Sequence, residues 1–151
     1  MGIKLKTPQQ AIERMVERRV KDIKSTVIEA LSMLGEECVT IMRNDKPNDY
    51  TDRSHNLRSS TGFMIVQDGK VRTRGGLEEI DGKGKEGVKA GEKAVKEVAK
   101  EFPNDIVLIV VAGMKYGVYV ERLYGKDVIT SAKLFAKKEA LRFLREAGLI
   151  L

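Results

Sequence analysis

Residues 62–74 read GFMIVQDGKVRTR: an apolar run, a two-residue Asp68-Gly69 turn, and a return. Asp-Gly readily takes the consecutive left-handed conformations of a tight hairpin turn, so the stretch predicts paired strands over 62–67 and 70–74. Gly75-Gly76 ends the second strand. Further on, Asn104-Asp105 turns the chain into IVLIVVA, residues 106–112. A continuous apolar, β-branched run of that length predicts a central strand covered on both faces.

Helices surround this sheet. From Thr7, expected as a cap with Pro8 at the first helical position, apolar or small residues recur at Ile12, Val16, Val20, Ile23, Val27, Leu31, Leu34, Cys38 and Met42. Steps of four, four and three make an eleven-residue period, which suits a nearly straight helix rather than a heptad coiled coil. Unbroken to Arg43 it would span about 55 Å at about 1.5 Å per residue. That length implies packing of one part against another subunit. Gly35 marks the place for a bend or break, at about 1 kcal/mol relative to alanine.

Residues 44–56 read as loop and 57–60 as a short turn, while the glycines over 82–87 predict a flexible charged loop. A second helix is expected over 88–101, with Val88, Gly91, Val95, Val98 and Phe102 on one face. A last helix is expected from a Thr130 or Ser131 cap to Ala147, stopped by Gly148, with Leu134, Phe135, Ala140, Leu141 and Leu144 inward. The class is α+β: a long N-terminal helix and two further helices on a small, mostly antiparallel sheet. All 151 residues are expected in one domain.

Composition narrows function. The chain is 42% hydrophobic and 33% charged, with a net charge of +6. Most of that excess lies beyond residue 82. No apolar run spans a bilayer, the N-terminus lacks a signal-peptide core, and Lys6 fails the myristoylation pattern, so no membrane role is expected. One cysteine permits no internal disulfide and fits a reducing cytosol.

Candidates for catalysis, metals or cofactors are weak. His55, the single histidine, sits in a polar loop beside Asp52 and Ser54, but triads are not built from adjacent loop residues. Cys38 falls on the helix stripe and reads as core. DGKGKEG lacks phosphate-loop spacing. No catalytic, metal or cofactor residue is therefore assigned. Arg53 and Arg58, flanking Asn56-Leu57, could meet acidic groups on a partner or pair locally with Asp49 or Asp52. Tyr116, Tyr119, Glu121 and Tyr124 form a tyrosine-rich stretch suited to an interface.

Thr51-Asp52-Arg53, Asn56-Leu57-Arg58-Ser59-Ser60, the strand to Val66 with Asp68-Gly69, and Tyr116-Gly117-Val118-Tyr119-Val120-Glu121 together resemble the tail-completion, neck or head-to-tail joining proteins of long-tailed bacteriophages. In that family a TGNLRxS segment precedes the hairpin, and a YAxYVE segment follows the strand after the middle helix. Here Ser54-His55 replaces Thr-Gly, and residues 125–130 (GKDVIT) replace the usual lead into the last helix. The resemblance follows the order of elements over about residues 10–147. It implies a non-enzymatic virion protein made in the host cytoplasm, forming a ring, commonly six-fold, against tail-tube and connector proteins. DNA would pass through the lumen without sequence specificity. Interface candidates are Arg53, Asn56, Leu57, Arg58, Tyr116, Tyr119, Glu121 and Tyr124, and the loops 45–56 and 75–87 are expected to contact neighbouring rings and to order on assembly. The alternative is a small basic nucleic-acid-binding protein using the C-terminal lysines.

Overall fold

The computed structural model describes residues 2, 4, 6–44, 52–124 and 126–151, with Tyr119, Leu123 and Tyr124 described by backbone alone. Along the chain run α1 (Gln9–Arg43), α2 (Asn56–Ser59), β1 (Thr61–Gln67), β2 (Lys70–Gly76), α3 (Lys85–Ala99), β3 (Ile106–Ala112), α4 (Gly117–Tyr124) and α5 (Thr130–Glu146). The class is α+β, as expected, with α2 and α4 as short additional helices.

Asp68 and Gly69 both take positive φ, 51° and 72°, and close the expected hairpin. The sheet is wholly antiparallel, in the order β2-β1-β3. β3 is thus an edge strand, and β1 holds the centre in its place. The IVLIVVA run is nonetheless covered on both faces. Ile106, Leu108 and Val110 pack with Phe63 and Ile65 beneath α1 and α5, while Val107, Ile109 and Val111 pack with Met64, Val66 and Val95 beneath α3. Two helical layers therefore enclose one sheet, and alternation along each strand feeds both.

α1 is continuous, with no break at Gly35. A Cβ there would lie 2.5 Å from Cδ2 of Phe63, so glycine serves to seat that ring against the helix backbone. Gly75 of β2 meets the same ring at its far edge. Phe63, 0% exposed, is clamped between two side-chain-free positions. The N-cap of α1 is Pro8 itself, and Thr7 supplies no side-chain cap.

Two other expectations are corrected. Leu134 and Leu141 of α5 are each 62% exposed, and Ala132 and Phe143 are buried instead. At about 100° per residue the leucines lie opposite that face, and the small Ala132 and Ala136 let α1 approach closely. The glycine-rich 82–87 stretch is built in: α3 starts at Lys85, and Ile80 and Lys83 exchange two backbone hydrogen bonds of 2.9 Å. Cβ atoms at Gly84 and Gly87 would overlap Ser59 and the Asn56 carbonyl, so the start of α3 lies directly on α2. Gly148, at φ 74°, stops α5 as expected, with Leu149 N–H donating to the Leu144 carbonyl at 3.0 Å.

Candidate assembly surface

The two motif segments meet in space. Asp52 Oδ2 accepts the Arg58 N–H at 2.7 Å, and Ser54 Oγ accepts the Asn56 N–H at 3.3 Å, fastening the first turn of α2. Tyr116 lies against this turn. Burial, then the neighbouring Asp52 carboxylate, push its phenol above the usual range; a Ser54 hydrogen bond opposes the shift and Glu86 adds to it. The hydroxyls of Ser59, Ser60 and Thr61, all 0% exposed, are satisfied locally. Ser60 Oγ donates to the Leu57 carbonyl at 2.7 Å and accepts the Met114 N–H at 3.3 Å, while Thr61 Oγ1 donates to the Arg58 carbonyl at 2.6 Å. Ser59 Oγ donates to the Lys83 carbonyl at 3.4 Å.

This network gives several candidate residues internal work. Leu57 is 1% exposed and packs with Val128. Asn56 Oδ1 accepts the Gly87 N–H at 3.4 Å, tying α2 to α3. Arg58 is half-buried, with Nη1 on the Arg43 carbonyl at 3.4 Å. Glu121 Oε1 accepts the N–H groups of Val128, Ile129 and Thr130 at 3.1, 2.9 and 2.8 Å, and so caps α5 from outside. Asp127 Oδ1 adds the Ser131 N–H at 3.2 Å, so these carboxylates take the part expected of Thr130 or Ser131. Burial pushes the Glu121 carboxyl up, but the three backbone donors and the Thr130 hydroxyl outweigh it and hold it below the usual carboxylate range.

Arg53 and Tyr116 remain open to solvent. The side chains of Tyr119 and Tyr124, and loop residues 45–51, lie outside the described residues. His55 is half-buried at the αL position before α2, and its buried Nδ1 has no hydrogen-bond partner. Cys38 is 0% exposed, and burial, with Glu37 adding to it, raises its thiol to about 11. Among the described residues no three His, Cys, Asp or Glu side chains converge to hold a metal, and no helix is long and apolar enough to cross a membrane.

The exposed apolar surface lies elsewhere. Thr26–Ile28 are half-buried, Ile28 already packs on the core, and of Gln9–Ser25 all but Ala11 are exposed, so about 17 residues, or about 25 Å, precede the part enclosed by the core. Along them Ile12, Val16, Val20 and Ile23 are 37–56% exposed, continuing the line that buries Leu34 and Cys38 further on. Met15, 66% exposed, widens the strip. Beside it a groove of ≈590 Å³ separates α1 from the hairpin, with Val20, Ile28 and Val71 among its apolar lining and Lys21, Lys24 and Arg72 among its charges. Pairing of Ile65 with Thr73 but Val66 with Val71 leaves Arg72 as the extra residue of a bulge. Bulges re-aim side chains, which is how Val71, Arg72 and Thr73 all reach one groove. The helix stripe was legible as periodicity; the groove was not, because a bulge has no signature in this hairpin's residues.

No known protein family, curated protein or solved structure matches this chain.

Proposed function

We propose that the chain is a structural, non-enzymatic subunit of the head-to-tail junction or tail end of a long-tailed bacteriophage, made in the host cytoplasm and carried in the virion. It works as an oligomeric ring, six-fold as the family resemblance implies, seated on tail-tube and connector proteins with DNA passing through its lumen. One observation carries the assembly part of this reading: the apolar stripe that docks α1 on the sheet runs on uncovered from Ile23 back to Ile12. A contiguous apolar strip on an overhanging helix is a surface for another protein. A neighbour that covered it would extend the subunit's own core, and repetition of one such contact closes a ring. The motif resemblance supplies the identity of the assembly.

Light scattering and native mass spectrometry test the reading, alone and with tail-tube or connector proteins. A defined oligomer is expected, and Val16→Asp/Val20→Asp should reduce it to monomer without lowering the melting temperature of the subunit. A wild-type chain that stays monomeric under every condition overturns it. The second reading, a small basic nucleic-acid-binding protein, is favoured by the lysines of α3.

A further inference from the structure

We infer that the outward face of α3 is a contact surface for the phosphate backbone of duplex DNA, bound without regard to sequence. This deepens the second reading, on which it rests, and is tested on the chain by itself; binding carried by α5 instead would keep that reading and overturn only this inference. A monomer would overturn the ring and leave this inference untouched.

Lys85, Lys89, Lys93, Lys96 and the C-cap Lys100 are all exposed. At about 100° per residue the five fall within about 80° of arc, opposite the buried Gly87 and Gly91. Steps of four, four, three and four residues set successive Cβ atoms about 5–6 Å apart along about 22 Å of axis. A row of lysines on one helix face is the electrostatic footprint of backbone binding. Glu86 and Glu97 sit on one shoulder of the row. Glu92, on the other shoulder, is engaged by Arg74 of β2 at 2.8 Å, which brings a sixth cation alongside.

The composition of α3 favours the duplex backbone over base edges or single strands. KEGVKAGEKAVKEVA contains no Asn or Gln to read adenine and no Arg, whose planar fork fits guanine; its cations are lysines, which meet phosphates as point charges. It contains no aromatic residue on which single-stranded bases could stack. What it offers is charge at regular intervals. α5 is the poorer candidate: Arg142 is held by Glu139 and Glu146, and Leu134 and Leu141 share the outward face with Lys137 and Lys138.

The test is fluorescence anisotropy of the full chain on short duplex DNAs of two unrelated sequences, between about 50 and 200 mM salt. Five phosphate contacts give a slope of log K on log salt of about −4.5, an affinity loss of about 500-fold over that range. Lys89→Ser/Lys93→Ser/Lys96→Ser should flatten the slope to about −1.8, about 12-fold, equally for both sequences. Its melting temperature should not change, and Lys89→Arg/Lys93→Arg/Lys96→Arg should keep the wild-type slope. Absence of binding at the low-salt end, an unchanged slope in the serine variant, or loss instead in Lys133→Ser/Lys137→Ser/Lys138→Ser would each overturn the inference.

Discussion

Gly35→Ala isolates the clamp on Phe63. In an exposed helix, glycine to alanine stabilises by about 1 kcal/mol. Here the new methyl would stand 2.5, 2.6 and 2.8 Å from Cδ2, Cγ and Cε2 of a ring with no exposed surface. The ring cannot retreat toward β2, because Gly75 already meets its far edge. Overpacking of a filled core costs about 1–3 kcal/mol. Set against the propensity gain, the net is a loss of up to about 2 kcal/mol, or up to roughly 8 °C in melting temperature for a chain of this size. Phe63→Leu makes room at the cost of its own cavity, so Gly35→Ala/Phe63→Leu should lose less than the sum of the single changes. Thermal and urea unfolding of the three variants measures that coupling. A Gly35→Ala chain that melts higher than wild type refutes the clamp and restores Gly35 to an ordinary helix position.

Two further outcomes concern titratable groups. Glu121→Gln should lower stability by about 1 kcal/mol near neutral pH, as loss of a helix cap does. Because the folded carboxyl titrates below its unfolded value, its contribution is complete above the ordinary carboxylate range and disappears as pH falls through the folded pKa. Melts recorded on acidification should therefore converge for the two chains, and a gap that persists undiminished at the acid end contradicts the capping role. Cys38, with its thiol raised to about 11, should label with a thiolate-seeking reagent only as fast as the chain opens. Rapid labelling of the native protein would mean that the α1–α5 seam is not closed.

The local parts of the fold were legible because their causes are local. Asp68-Gly69 specifies its hairpin, Gly148 its helix stop, and the eleven-residue stripe its helix. Long-range choices were not. Two apolar runs, 61–66 and 106–112, compete for the centre of the sheet, and only the pairing decides that β1 takes it. Leu134 and Leu141 read as inward because they are large and apolar. The seam instead selects Ala132 and Ala136, whose smallness matters only when α1 is known to lie there. Glycines over 82–91 have the composition of a loose segment, yet at Gly84 and Gly87 the missing side chain is what lets α3 rest on α2.

The candidate site divides in the same way. The motif residues stood out as unusual, but their partners lie far off in sequence: Ser60 with Met114, Asn56 with Gly87, Tyr116 with the turn that Asp52 fastens. Leu57 and Glu121 therefore carry structural roles that no spacing could announce. The stripe of α1 was visible along its whole length, but not the point after Ser25 where burial begins.

The position of β1 also sets a hazard during synthesis. β1 pairs with β2 as soon as residue 76 has emerged, because only the Asp68-Gly69 turn separates them. Its other edge waits for β3, about 45 residues beyond Gln67. At about 5–20 residues per second that interval is roughly 2–9 s. For those seconds TGFMIV, apolar on both sides, presents an unpaired row of amides, and the strand that will cover it, IVLIVVA, carries no charge or proline to discourage pairing with a neighbouring chain. Expression at lower temperature, or with a holding chaperone present, should raise the soluble yield more than any surface substitution.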